Sequence, residues 1–235
     1  MTFKGKIAVL KGGYSDERAI SLKTGENVEQ ALNELGLRYA SIDCKDDFLE
    51  KLISSNFDLC FNALHGEFGE DGQIQALLEE IGIKYTHSGI SSSILAMNKA
   101  FSKEIFIRND VPTPQYKMID KDDINENDIL IPSVIKPINN GSSFGVYIIL
   151  SESDKTSFLE DIKNWKYGKY IMVEKYIKGR ELTCGIIANK PTEVMEIKAK
   201  NIFYDYETKY TQGMSEYILA KDIPRETYNK IQDLT

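Results

Sequence analysis

Pro132-Ser-Val-Ile-Lys-Pro-Ile-Asn-Asn-Gly-Ser-Ser-Phe-Gly-Val-Tyr-Ile-Ile-Leu150 sets two β-branched runs on either side of a loop of small and polar residues, and reads as strand, glycine loop, strand. Gly141 and Gly145 let the backbone come close to a ligand, while Ser142, Ser143 and successive N–H groups offer donors suited to phosphate oxygens. Lys136, at the base of the loop, adds a point charge. There is no GxxxxGK[ST] pattern and a strand follows the loop, so this is not a P-loop. By itself the loop is equally an ordinary Gly-Ser hairpin connection. Its surroundings have to decide.

Upstream, residues 6–10 read as a buried strand, Gly12-Gly13 as a turn, and Ser15 as the N-cap of a helix with Asp16 and Glu17 in its first turn. Ile20, Thr24, Val28, Ala31, Leu32 and Leu35 keep a helical spacing until Gly36. Strands are expected at 39–42, 57–64 and 84–86, with helices near 47–54 and over 73–81. Such β/α alternation implies a parallel sheet covered on both faces. A long helix over 91–108 follows, and Val111-Pro-Thr-Pro114 ends it.

Downstream of that break the pattern turns β-rich. Strands are expected at 115–119, 170–175, 181–188 and 192–198, with a helix over 154–165. Residues 201–213, aromatic and charged without a regular period, read as an ordered covering loop. An amphipathic helix begins at Pro224 with Ile223, Tyr228, Ile231 and Leu234 on its apolar face, and the sequence stops inside it, so the chain is expected to be cut short.

The 235 residues, 42% hydrophobic and 28% charged, describe a soluble globular chain with enough apolar surface for one large or two smaller domains. With a net charge of −7 and scattered basic residues there is no nucleic-acid footprint. Cys44, Cys60 and Cys184 form no CxxC pair and read as buried free thiols. No run reaches membrane-spanning length and the N-terminal apolar run is too short for a signal peptide, so a cytoplasmic protein is expected. Gly12-Gly13 is not GxGxxG, and the kinase loop motifs are missing, which sets aside dinucleotide binding and kinase chemistry.

Six stretches, taken in order, resemble the D-alanine–D-alanine ligases of the ATP-grasp superfamily. They are Leu10-Lys-Gly-Gly-Tyr-Ser-Asp-Glu-Arg18, Ala63-Leu-His-Gly66 with Gly69-Glu-Asp-Gly72, and Ala96-Met-Asn-Lys99. The remaining three are Val134-Ile-Lys-Pro137 with Gly141-Ser-Ser143, Val173-Glu174 with Gly179-Arg-Glu181, and Phe203-Tyr-Asp-Tyr-Glu-Thr-Lys-Tyr210. The resemblance implies an α/β fold of ATP-grasp architecture: an N-terminal parallel α/β domain over 1–97, a central α+β lid domain over 98–178, and an incomplete C-terminal α+β domain over 179–235. It implies a cytoplasmic enzyme of peptidoglycan precursor synthesis, commonly a homodimer, with no nucleic-acid or membrane partner. ATP phosphorylates the carboxylate of one D-alanine to an acyl phosphate, and the amine of a second D-alanine attacks it.

Residue by residue, Glu17 resembles the carboxylate that holds the first D-alanine's ammonium, although a first-turn acid serving the helix dipole looks the same in sequence. His65, after a strand end, resembles the family's histidine beside that substrate; a satisfied core histidine is the alternative. Lys99, Lys136 and Lys209 resemble the phosphate-contacting lysines, with Ser142 and Ser143 in the glycine hairpin. Glu174 and Glu181 resemble the acceptors for the adenine amine and ribose hydroxyls, with the Lys175 and Ile177 backbone on the adenine edge. In the family the equivalents of Ser142 and Tyr210 join the glutamate in one hydrogen-bonded group that closes the site against water, and a tyrosine at 210 points to an amine acceptor. Two residues depart from the family pattern, Asn98 in place of Asp and His87 in place of Gly. The family's ligands for Mg²⁺ (or Mn²⁺) are expected beyond residue 235, which makes this chain incomplete for catalysis on the sequence reading. Another ATP-grasp carboxylate–amine ligase, or a non-catalytic nucleotide-binding remnant, fits the same motifs.

Overall fold

A computed structural model describes residues 3–200, 208, 209, 211 and 213–235. The chain divides into two compact units, one of residues 1–102 with 139–141, the other of residues 103–138 with 142–235.

The first unit is built on four parallel strands in the order β2-β1-β3-β4: β1 (Lys6–Lys11), β2 (Arg38–Asp43), β3 (Leu59–Asn62) and β4 (Lys84–Tyr85). Strand β1 is apolar on both sides because both of its faces are covered. Ala8 and Leu10 pack with Leu52, Phe57, Ile74 and Leu78, while Ile7 and Val9 pack with Leu32 of the helix α1 (Arg18–Glu34). The other helices here are α2 (Phe48–Ser54), α3 (Gln73–Glu80) and α4 (Ile90–Met97). Gly36, at φ +64°, ends α1 as expected: its N–H bonds the Asn33 carbonyl and Leu37 N–H bonds that of Leu32.

The start of α1 differs from the sequence expectation. The helix begins at Arg18, Glu17 is the N-cap residue, and Ser15 lies outside, its hydroxyl accepting from the Glu17 N–H at 3.2 Å. The buried stripe keeps Leu32 as expected, but in the first half of the helix it is displaced by one position, to Ser21 and Gly25. Small residues replace the expected Ile20 and Thr24 because α1 lies close on the sheet: a Cβ on Gly25 would collide with the Lys11 side chain. The helix expected over 91–108 is two helices, α4 and α5 (Lys99–Arg108), separated by Asn98 in an extended conformation. Asn98 Oδ1 accepts from the N–H groups of Ala100 and Phe101, both at 3.1 Å, and so caps α5. Asn and Asp are equally good caps, which accounts for the departure at this position.

Among the described residues, the second unit holds two antiparallel sheets and a two-stranded antiparallel ribbon. The larger has the order β5-β8-β6-β7, from β5 (Tyr116–Asp120), β6 (Ser133–Pro137), β7 (Tyr147–Ile149) and β8 (Tyr170–Lys175). One of its faces packs Ile135, Ile149, Ile171 and Val173 against Phe158 of α6 (Glu152–Asp161). Helix α6 starts two residues earlier than expected because Ser151 and Asp154 form a capping box. The smaller sheet has the order β13-β12-β9, from β9 (Glu181–Thr183), β12 (Met195–Ala199) and β13 (Ser215–Leu219). The strand expected over 181–188 is split, its distal part β10 (Ile186–Ile187) pairing only with β11 (Lys190–Pro191). Helix α7 (Arg225–Leu234) follows Pro224 as expected. Its Tyr228 hydroxyl accepts from Val194 N–H and its Gln232 amide donates to the Thr192 carbonyl, so part of its face is covered by the β11–β12 connection. No helix among the described residues is long and apolar enough to cross a membrane.

Candidate active site

In a parallel sheet, ligands gather at the carboxyl ends of the strands where the strand order reverses. Here that point lies between β1 and β3, and the segments leaving those strands are Gly12-Gly13 and Ala63-Leu-His-Gly66. Ser21, fully buried on α1, ties them together: its hydroxyl accepts from Gly12 N–H at 2.8 Å and donates to the Ala63 carbonyl at 2.8 Å. Arg18 holds the turn from the other side, forked onto Asp43 at 2.7 and 2.5 Å and bonded to the Gly13 carbonyl. The guanidinium keeps the Asp43 carboxyl below its ordinary range. Arg18 closes the first of the six motif stretches, although nothing in the sequence ties it to Asp43; Ser21 carries no motif, since a mid-helix serine has no sequence signal of its own.

Glu17 sits inside this frame with 5% of its surface exposed. A Cβ placed on Gly66 would come 2.6 Å from Glu17 Oε2, and one on Gly141 would come 3.2 Å from the same oxygen. Two glycines from separate motifs thus abut one carboxylate, one at the end of β3 and the other in the glycine hairpin. Glu17 is the N-cap residue of α1 and makes no side-chain capping bond, so its carboxylate lies at the positive end of the helix and is buried there.

His65 is half-buried, its Nε2 3.0 Å from the Thr24 hydroxyl and its carbonyl accepting from Ser15 Oγ at 2.7 Å. It lines a cavity of about 380 Å³ with Thr24, Val28, Phe61, His87 and Ser92. His87, at the position where the family resemblance implies glycine, has φ +80°. Its ring stands edge-on to Phe61 at 5.9 Å and its Nδ1 is 2.9 Å from the Thr86 hydroxyl, contacts that offset a left-handed backbone. Lys99, the first residue of α5, donates to the Asn140 carbonyl of the hairpin at 2.5 Å.

The second unit gathers another charged group on the face of its large sheet opposite the apolar core. Glu174 on β8 lies across from Val134 on β6 and Tyr116 on β5, so Lys136 is its diagonal neighbour. Lys136 Nζ is ion-paired with Glu174 Oε1, and Lys103 Nζ with Glu174 Oε2 at 2.8 Å. Glu174 and Lys103 are 8% and 5% exposed. Glu174 and Lys136 stand in sequence motifs, whereas Lys103 has no sequence signal, because a lysine inside a helix reads as a solvated one.

Along the strand from Glu174, Lys175 and Ile177 are exposed, and Glu181 opens β9 with its side chain exposed. Ser142 and Ser143 have φ +48° and +62°, a consecutive left-handed pair followed by Gly145 at +68°. Successive residues of that kind turn N–H groups toward one side of a loop. Arg180 of the Gly179-Arg-Glu181 motif holds Glu196 at 2.9 and 2.7 Å and Asp222 at 2.8 Å, a structural clasp for the small sheet. Lys209 is half-buried beside the fully buried Thr208. Tyr210 and most of the expected covering loop lie outside the described residues. Among the described residues no group of three or more His, Cys, Asp or Glu side chains is placed to hold a metal ion. Cys44 and Cys60 are buried free thiols, and Cys184, expected to be buried too, is partly exposed.

Comparisons with known proteins point to one family. The family model "D-ala D-ala ligase C-terminus" matches residues 105–235, and "D-ala D-ala ligase N-terminus" matches residues 44–88. The D-alanine–D-alanine ligase of Wolbachia sp. subsp. Drosophila simulans is 46% identical over 224 residues, covering 94% of this chain and 70% of the relative. That of Zymomonas mobilis subsp. mobilis is 42% identical over 238 residues, covering 100% and 74%. Among solved structures, D-alanine–D-alanine ligase from Bacillus anthracis superposes with a TM-score of 0.80 at 31% identity, covering 97% of this chain and 75% of that one. The same enzyme complexed with ATP gives 0.76 at 28% identity, with the same coverage.

Proposed function

The chain belongs to the D-alanine–D-alanine ligase family, and from that membership we propose that it joins two D-alanines into D-alanyl-D-alanine at the expense of ATP. The observation that carries the reading is Glu17, a nearly buried carboxylate at the sheet's switch point with Gly66 and Gly141 pressed against one of its oxygens. A carboxylate so placed suits a small ammonium, and glycines beside it leave room for a substrate no larger than alanine. His65 is assigned to the same amino acid, and Glu17, Ser142 and Tyr210 to the group that closes over it. The first D-alanine is held by its ammonium, which leaves its carboxylate to receive the phosphoryl group, and exclusion of water then protects the acyl phosphate.

For the nucleotide, Glu174, Lys175, Ile177 and Glu181 are assigned to adenine and ribose, and Lys99, Lys136, Ser142, Ser143 and Lys209 to the phosphates. The left-handed Ser142–Ser143 pair and the lysine at the base of the same hairpin support the phosphate assignment. Mg²⁺ or Mn²⁺ is the expected companion of the triphosphate, and no described residue is assigned to it. The separation of the β5-β8-β6-β7 sheet from the β13-β12-β9 sheet supports a division near residue 178 into central and C-terminal subdomains, after an N-terminal domain over 1–97. The reading extends, through the family, to a cytoplasmic homodimer serving peptidoglycan precursor synthesis. The test is complementation: the native gene, placed in a bacterium that lacks D-alanine–D-alanine ligase and grows only on supplied dipeptide, should remove the requirement. A well-expressed product that leaves it in place would refute the proposal.

A further inference from the structure

Glu174 has one more cation than an ion pair needs. Lys136 meets Oε1 and Lys103 meets Oε2, and the two lysines are held very differently. The Lys103 side chain is 6% exposed; its ammonium also donates to Thr113 Oγ1 at 2.8 Å and lies 5.0 Å from the centre of the Tyr116 ring. With three donors directed to a carboxylate, a hydroxyl and a π-face, it is fixed in place. The Lys136 side chain is 22% exposed and reaches Glu174 from the strand that leads into the glycine hairpin.

The imbalance has a consequence for ligand binding. If Lys136 were the sole partner of Glu174, drawing its ammonium toward an anion would strand a buried carboxylate, which is strongly unfavourable. With Lys103 in place, the carboxylate keeps a cation whether or not Lys136 stays, and the three groups together bear one net positive charge. We propose that Lys103 is a positioning residue for the nucleotide: it is the permanent counter-ion of Glu174, which frees Lys136 to exchange Glu174 for a phosphate oxygen while Glu174 remains in place for the base. The inference rests on the reading of Glu174 and Lys136 as nucleotide contacts.

Calorimetric titration with ADP and with adenosine tests it. Lys103→Gln should weaken ADP at least tenfold, equivalent to about 1.4 kcal/mol, because Lys136 is then retained by Glu174, while adenosine changes less than threefold. In a Lys136→Gln background the same substitution should alter ADP affinity less than threefold, since the group through which Lys103 acts is gone. Equal losses for ADP and adenosine, or a tenfold loss of ADP that persists without Lys136, would overturn the role and leave Lys103 as a packing residue. If Lys103→Gln does not fold, Lys103→Arg decides: it keeps the charge, so a folded variant should bind ADP within threefold of the parent, and a tenfold loss would overturn the role. Failure of the parent to bind ADP, or adenosine binding unaffected by Glu174→Gln, would overturn the nucleotide reading and this inference with it. Adenosine binding that depends on Glu174, combined with additive lysine effects, would overturn the inference alone.

Discussion

Replacing Gly66 by alanine should separate substrate binding from backbone strain, because Gly36 supplies a control with the same strain and no neighbour. Gly66 has φ +69° and Gly36 +64°, but an added Cβ meets nothing within 4 Å at Gly36 and lies 2.6 Å from Glu17 Oε2 at Gly66. Gly36→Ala therefore carries only the cost of a side chain in the left-handed region, about 1–2 kcal/mol. Gly66→Ala carries that cost and must also push the Glu17 carboxylate out of place. A hydrogen bond to a charged group is worth roughly 1.5–3 kcal/mol, so losing the ammonium contact should weaken D-alanine about ten- to a hundredfold. Gly141→Ala is an intermediate case, with a 3.2 Å approach and no positive φ, and should weaken D-alanine by less with little effect on stability. The assay pairs urea unfolding with calorimetric titration of D-alanine. A Gly66→Ala protein destabilised as much as Gly36→Ala but binding D-alanine like the parent would show that Glu17 does not hold the substrate.

Glu17→Gln should weaken D-alanine by about ten- to a hundredfold and leave ADP affinity within threefold, as measured by the same titrations; an equal loss of both ligands would point to a general loosening instead. Ser21→Ala leaves Gly12 N–H and the Ala63 carbonyl without their shared partner and should cost roughly 1–3 kcal/mol in urea unfolding, so an unchanged midpoint would contradict the bridging role. Burial pushes the Cys44 and Cys60 thiols up to about 12. The folded state keeps protons that the unfolded chain sheds above its ordinary value of 9.0, so their contribution is intact below pH 9 and is lost as pH rises toward 12, by at most about 1.4 kcal/mol per pH unit for each thiol. Unfolding midpoints at pH 8 and pH 10.5 should fall less in Cys44→Ala than in the parent, and equal falls would refute the assignment. A disulfide-exchange reagent at pH 8 should modify Cys184 fastest, with Cys44 and Cys60 reacting only on unfolding.

The parallel sheet was legible because its central strands β1 and β3 carry short apolar runs and strands alternate with helical patterns, and the helix stop at Gly36 because a left-handed position nearly requires glycine. What escaped depended on distance along the chain. The buried stripe of α1 runs through Ser21 and Gly25, which have no hydrophobic signal; only the approach of Lys11 and the strand ends shows why small residues are needed there. The break at Asn98 was hidden because residues 91–108 are good helix formers on both sides of it. Strand β13, Ser215-Glu-Tyr-Ile-Leu219, has no strand signal in its own sequence, since its place is set by pairing with β12. Glu17, His65, Lys99, Lys136 and Glu174 were nameable from motifs. That Lys136 meets Glu174, and that Lys103 completes the group, follows only from the register of β6 on β8 and the placement of α5.

The most direct test of the ligase reading is product analysis. The protein expressed from its native gene is incubated with ATP, Mg²⁺ and isotopically labelled D-alanine, with L-alanine as control, and the products are resolved by mass spectrometry. The expected result is D-alanyl-D-alanine with one ADP per dipeptide, none from L-alanine, and a much reduced yield from Glu17→Gln. ADP formed without dipeptide, or dipeptide formed equally well by Glu17→Gln, would contradict the account.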